Sequence, residues 1–468
     1  MSASEAARFG RLGVALGAVL ACGSNDPGEP DPAALRLPTG AVLTPGGEWL
    51  LVVNSNLDGE ESAATLVALD LRRLDEALAA EPVAPGTPTD AGHVCRWSAI
   101  EAGLVECDAR PLIDAEKTLR LPSGSGNVAV DRPFGASGPL RLLIPSGRER
   151  VVTWIDAEVD ADGGLSLECG QDAAGSCDEV HALRRKDGDG PELPADPARV
   201  AVDSQGFRYA YLPHLTSSAM TLIDLDGELG PAITDIEGDF FRGDPYAEGE
   251  PTYAGGFAAV TRPCDPAAAP TLSRECSRPY VYTSERFWPG VKVFTVAVGL
   301  DVLQGLGDVA LVDPNPAIVE DRPYVGDLRF DDAAGDRLLV VHTTPPALSL
   351  VDTSIDADGG TRDAVVKTVP LCRNPNILAL WDPPAGERLA FVSCYGDDAV
   401  AAVARDPFEP VATIAVGDGP NELVVDAGRR RLYVVETLRG SMSVIDLDRG
   451  SAGYLRVIAR VGVRSRLF

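Results

Sequence analysis

Apolar residues along this chain fall in short runs of five or six, rich in valine and bounded by Gly, Pro, Asp and Asn. Runs of that length and makeup predict β-strands separated by turns. One run near the end, RLYVVE (Arg431–Glu436), is followed by a second, SMSVID (Ser441–Asp446). The first has six counterparts upstream: WLLVVN from Trp49, RLLIPS from Arg141, RYAYLP from Arg208, PYVYTS from Pro279, RLLVVH from Arg337 and RLAFVS from Arg388. The second recurs as TLVALD from Thr65, VVTWID from Val151, AMTLID from Ala219, VKVFTV from Val291, ALSLVD from Ala347 and AVAAVA from Ala399. A third run precedes each pair, as in NVAVD, DLRFD and ELVVD. A fourth follows in most copies, as in VATIAVG (Val411–Gly417) and RVIARVG (Arg456–Gly462).

Three or four antiparallel strands repeated seven times predict an all-β chain: a seven-bladed β-propeller with mostly four-stranded blades over residues 39–468. A single blade cannot bury both of its faces, so each must cover its neighbour, and closure of the ring removes the open ends. Two segments compete for the outer strand that closes the ring. LRLPTG (Leu35–Gly40) matches LRLPSG (Leu119–Gly124), where an outer strand hands over to the next blade; Arg456–Gly462 is the other and is favoured. The last copy, VGDGPNELVVDAGRRRLYVVETLRGSMSVIDL, resembles the YVTN-type seven-bladed propeller repeat. Asp426, Leu432, Tyr433, Val434, Ser443, Val444, Ile445 and Asp446 stand at its positions. The resemblance implies the fold across nearly all of residues 39–468 and leaves activity open, because such propellers serve many functions.

The N-terminus reads as an address. Arg8 and Arg11 precede the apolar run Leu12–Ala21, which is too short to span a bilayer but suits a signal-peptide core. The run stops at VLAC (Val19–Cys22), which resembles the lipobox of bacterial lipoproteins. That resemblance implies a signal peptide over 1–21, a lipidated Cys22 and a polar, Pro-rich tether over 22–38. The expected place is the bacterial cell envelope, as an outer-membrane lipoprotein facing the periplasm or the cell surface.

Nine cysteines are an odd number, and assigning Cys22 to lipid leaves eight in sequence-local pairs. These are Cys95–Cys107, Cys169–Cys177, Cys264–Cys276 and Cys372–Cys394. In the propeller, Cys372 precedes an inner strand and Cys394 follows the next strand, so both reach one rim. Cys264 and Cys276 bracket a loop on the opposite face. A structural metal site wants closely spaced pairs such as C-x-x-C, and none occurs.

Charge narrows the partners. With 70 acidic against 41 basic residues the net charge is −29, a field that repels nucleic acid. Histidines are few, namely His93, His181, His214 and His342, which argues against copper clusters and other ligand-hungry cofactors. VDADGG (Val159–Gly164) and IDADGG (Ile355–Gly360) place alternate carboxylates before glycine, as calcium loops do. Their twelfth positions would be Cys169 and Val365, so a turn is the better reading of both. No metal and no cofactor is expected.

One rim collects the candidate ligand-binding residues. His214 and His342 follow second strands, and SERFWPGV (Ser284–Val291) brings Arg286, Phe287 and Trp288 to the same end. Arg and aromatic side chains are favoured at binding hot spots. Tyr395, Glu436 and Arg439 belong to that rim, with Asn54 and Asn56 nearby. Nucleophile elbows, phosphate loops and zinc motifs do not occur, so no catalytic residue is assigned. The expectation is a monomeric, membrane-anchored, non-catalytic propeller that binds a protein, peptide or glycan through this rim. A lactonase-like propeller hydrolase is the alternative, and an envelope scaffold a third reading.

Overall fold

The computed structural model describes residues 27–462 except 90–91, 134–137, 204, 228, 243–253, 264–277, 289, 312–323 and 357–359. Seven antiparallel sheets surround a central channel, each following the chain outward from the axis. Their inner strands are Pro38–Leu43, Ala129–Asp131, Ala201–Val202, Gly256–Thr261, Tyr324–Phe330, Pro375–Trp381 and Pro420–Asp426. The seven-bladed expectation holds; the inner strand of blade three is shortened to two residues, against seven in each of the last three blades.

The unbroken apolar runs follow from the stacking. Successive side chains of a strand point to opposite faces, and here both faces are covered by a neighbouring blade. In Trp49–Asn54, Leu50 and Val52 pack against Tyr433 and Val435 of blade seven. Leu51 and Val53 pack against Leu142 and Ile144 of blade two. Leu338 and Val340 likewise face Tyr282 of blade four, while Leu339 and Val341 face Ala390 and Val392 of blade six. Each fully buried side chain of this kind contributes roughly 1.5–3 kcal/mol.

Arginines clip blade to blade on the face opposite the candidate rim. Arg208 of blade three holds Asp131 of blade two in a two-point ion pair, one arm at 2.9 Å. Arg262 of blade four donates to the Thr353 carbonyl of blade five at 2.7 Å. Asp331, fully buried at the end of blade five's inner strand, takes Arg337 of its own blade at 2.8 Å and Arg388 of blade six at 3.1 Å. The buried Arg405 of blade six completes this cluster.

The favoured closure is correct: Val457–Val461 is the fourth strand of blade seven. The chain adds a feature that the repeat pattern does not contain. The insertion after blade one's third strand crosses the seam and lays Val105–Cys107 parallel to Val457–Val461, pairing Ala459 with Val105 and Val461 with Cys107. Cys95–Trp97 then pairs with Val105–Cys107, and the Cys95–Cys107 disulfide ties the hairpin directly across the strands. A helix in the same insertion, Leu71–Ala79, was not expected. Asp70 caps it by accepting from the Arg72 and Arg73 amides, and Leu71 and Leu74 bury into the seam core. Its Asp75 meets Arg429 of blade seven at 2.7 Å and Arg431 at 2.5 Å. The insertion thus holds blade seven by strand and helix, and the disulfide braces the hairpin that supplies the strand. Replacing Cys95 and Cys107 by serine is expected to cost about 3 kcal/mol on the chain-entropy account. Thermal unfolding of the double variant checks this, and an unchanged melting temperature would remove the latch from the stability account.

The Cys169–Cys177 and Cys372–Cys394 bonds are formed as expected. Cys264–Cys276, Cys22, the signal segment and residues 22–26 of the expected tether lie outside the described residues; the rest of that tether packs on the ring, with Leu35 buried in the seam core and Pro38 opening the first strand. The first acidic stretch is a turn, in which Asp160 accepts from the Asp162 and Gly164 amides; in the second, Asp356 accepts from the Gly360 amide, and 357–359 lie outside the described residues. Among the described residues no helix is long and apolar enough to cross a membrane.

Candidate functional site: a polar cup at the channel mouth

The inner strands begin at one end of the channel, and the loops leaving the second strands return to the same end. Close approach there depends on small residues. A Cβ on Gly40 would lie 2.5 Å from the Gly126 carbonyl oxygen, so blades one and two touch only because glycine stands at that position.

Between these loops opens a cup of about 470 Å³. Its wall comes from five blades: Thr39 and Leu57 of blade one, Arg286 of blade four, Tyr324, Thr343 and Thr344 of blade five, Asn374, Asn376 and Tyr395 of blade six, and Asn421 and Thr437 of blade seven. A second hollow of about 440 Å³ shares Thr39, Leu57 and Asn421 and continues past Asn127, Arg148 and Arg199 to Phe257. The two are lobes of a single mouth.

Several wall hydroxyls and amides tie adjacent blades together. Thr343 donates to the Pro375 carbonyl at 2.8 Å, Thr437 to Pro38 at 2.6 Å, and Asn421 to Thr39 at 3.3 Å. The side-chain amides of Asn374 and Asn376 hold no protein partner among the described residues and are left for solvent or ligand. The loop that carries them is anchored by the Cys372–Cys394 disulfide and by Arg373, whose side chain and amide both bond Asp397.

The channel beneath one lobe holds a charge pair. Arg199 of blade three meets Glu422 of blade seven at 3.0 Å, bridging blades that are not neighbours. Asp327 of blade five sits beside them, accepting from the Leu328 and Leu378 amides at 2.9 and 3.1 Å. Burial works against the Arg199 charge, but Glu422 and Asp327 outweigh it and its pKa is raised. Burial also pushes the Glu422 carboxyl up, with Arg199 pulling it back.

Arg286 stands differently. Among the described residues no carboxylate pairs with it. Its guanidinium sits 5.6 Å from the Tyr324 ring centroid and 5.8 Å from that of Phe257. Burial lowers its pKa from the ordinary arginine value, with Tyr324 acting the other way. Phe287 packs edge-on against Tyr324 at 5.6 Å and so supports the wall from behind. Trp288 carries Arg242 over its ring at 5.0 Å.

Of the eight rim residues named from the sequence, Arg286 and Tyr395 line the cup. His214, His342 and Glu436 are buried and turned into their blades. His214 bonds the Thr221 hydroxyl through Nε2 at 2.9 Å and the Ala195 carbonyl through Nδ1 at 2.9 Å. His342 Nε2 meets the Ser349 hydroxyl at 2.8 Å. Glu436 accepts from the Ser441 and Ser443 hydroxyls and from the Gly417 amide. Asn54 donates its side-chain amide to the Thr65 hydroxyl at 2.9 Å, and Asn56 donates to the Glu61 carbonyl at 2.7 Å. A shared rule underlies this: the polar residue ending a second strand pairs with the hydroxyl of the facing third strand. For His214, His342 and Glu436 that partner is seven residues on. Arg439 is exposed beside the mouth. The sequence reading missed the asparagines, although they recur as PN before inner strands, in NPNILALW and GPNELVVD.

Neither a known family profile nor a curated protein matches the chain. Solved structures do. Hydrazine synthase of Kuenenia stuttgartiensis aligns over 92% of this chain and 100% of its own, with 12% identity and a TM-score of 0.50. The periplasmic gluconolactonase PpgL of Pseudomonas aeruginosa aligns over 82% of this chain and 86% of its own, with 16% identity and a TM-score of 0.49. A Lactobacillus plantarum protein aligns over 82% of this chain and 86% of its own, with 13% identity and a TM-score of 0.48. Likeness at these identities is a likeness of fold.

Proposed function

We propose that this protein is exported, carried on the cell envelope by a lipid at Cys22, and binds a saccharide-sized polar ligand in the cup without turning it over. The observation that carries the reading is the wall itself. Asn374, Asn376, Tyr395, Thr344 and Arg286 present amides, hydroxyls and one cation around a concave space, the makeup that hydrogen-bonds a polyol. A protein-docking face would instead offer an apolar centre ringed by polar groups. The two histidines nearest the mouth are engaged inside their blades, which supports binding over acid–base hydrolysis. Disulfide formation fits an oxidising, exported setting.

Thermal unfolding against a panel of envelope-type oligosaccharides tests the reading. A ligand present at a hundred times its Kd raises stability by about 2.7 kcal/mol. The rise is expected in the wild type and lost in Asn374→Ala plus Asn376→Ala. Turnover of a lactone or ester panel would replace binding with hydrolysis. Capture of a protein that depends on the same asparagines would replace the glycan with a protein. The mass of the mature N-terminus decides the lipid: an unmodified Cys22 would remove the anchor.

A further inference from the structure

We infer that the ligand of this cup carries a carboxylate, and that Arg286 is the residue that reads it; the inference rests on the glycan-binding reading above. A half-buried cation such as Arg286 is ordinarily matched by an anion, because drawing a charge out of water without a partner is costly. This chain follows that rule closely elsewhere. Arg199 has Glu422, Arg208 has Asp131, Arg262 has Asp336, and Arg405 has Asp331. With 70 acidic residues on the chain, acidic partners are not scarce. Arg286 nevertheless stands among Phe257, Tyr324 and the neutral amides and hydroxyls of the cup.

The two rings flank the guanidinium and leave its donors without an acceptor among the described residues. A guanidinium presents N–H groups in a planar fork that matches the two oxygens of a carboxylate. The unpartnered amides of Asn374 and Asn376 line the same cup and can bond the ring hydroxyls of an acidic sugar. The charge count favours a monoanion. Among the described residues that line the cup Arg286 is the one cation; a single carboxylate matches it, whereas a phosphate dianion would leave charge unmatched. The ligand class is therefore a uronic acid or another carboxylated sugar.

Isothermal titration of the wild-type protein with a glucuronate-containing oligosaccharide, its neutral glucose counterpart and glucose 6-phosphate provides the test. The uronate is expected to bind about 10- to 100-fold more tightly than the neutral sugar. Arg286→Met should erase that preference and leave the weaker neutral binding in place. Arg286→Lys should restore only part of it, since an ammonium cannot make the paired contact. Equal wild-type affinity for acid and neutral sugars, or a preference that survives Arg286→Met, overturns the inference while glycan binding stands. A sugar phosphate binding more tightly than the uronate overturns the carboxylate assignment. No binding of any sugar, charged or neutral, overturns the glycan reading and this inference with it. If Arg286→Met does not fold, the wild-type preference decides alone.

Discussion

Asp331→Ala is expected to destabilise the ring by about 3–5 kcal/mol, read as a lowered midpoint in denaturant with an unchanged slope. The carboxylate is fully buried and gathers three guanidiniums: Arg337 of its own blade, and Arg388 and Arg405 of the next. Arg405 is itself buried, so removing the anion leaves its guanidinium between blades five and six with only the mostly exposed Asp382, at 2.8 Å, as a carboxylate partner. Asp331→Asn should cost nearly as much, because the amide keeps the shape and loses the charge. Arg337→Met should cost no more than about 1 kcal/mol, since Arg337 is partly exposed and its loss leaves two partners in place. A loss below about 1 kcal/mol for Asp331→Ala would show that the three arginines find other acceptors, and the clip account would be wrong.

Acid should loosen the protein through His214 and His342. Burial lowers both to about 4 from the ordinary 6.5; at His214 the Ala195 carbonyl and Asp196 partly offset it. In the unfolded chain these imidazoles take up protons as the pH falls through 6.5, whereas in the folded ring they resist until about 4. The unfolded state therefore binds more protons across that window, and stability falls as the pH falls. The full contribution is present above pH 6.5 and is spent by about pH 4. Each histidine accounts for up to about 3 kcal/mol of this loss. Asp203, Glu285, Asp363 and Glu422 run the other way, because burial raises their carboxyl pKa values and protonation relieves the folded state. Comparison with His214→Gln plus His342→Gln isolates the histidine part, since the amides keep a bond to Thr221 and Ser349. The wild type should lose more stability than this variant between pH 7 and pH 4. Parallel curves would mean that the imidazoles are not held neutral.

Those two histidines also show where sequence reading stops. His214 and His342 were placed at the correct end of their strands, because a second strand always leaves at that face. Their direction was misjudged, because position along a strand says nothing about whether the last side chain turns outward or into the blade. The seven-residue spacing to Thr221 and Ser349, repeated between Glu436 and Ser443, was the available signal. It is meaningful only once the register of the second and third strands is known. Arg286 was legible as a rim residue from its loop. Its lack of a carboxylate partner was not, since that depends on what blades five, six and seven bring to the same place. Asn374 and Asn376 were passed over for a similar reason: single asparagines before a strand read as turn residues.

Local repetition was sufficient for the ring. Seven recurrences of three apolar runs in one order define seven sheets, and their unalternated apolar character already demands a cover on both faces. The pairings Cys95–Cys107, Cys169–Cys177 and Cys372–Cys394 belong with this, since a hairpin or turn returns the chain to where it started. Three things were decided only when distant segments met. The insertion at 95–107 chose blade seven's edge over solvent, because closure of the ring puts the first and last blades side by side and brings blade seven's outer strand within reach of it. The repeated Arg that opens second strands became a clip between blades because the neighbouring blade presents an Asp or a carbonyl to it. The cup acquired its chemistry because five blades each contribute one to three side chains to it, and no contiguous stretch of the chain contains more than a fragment of that wall.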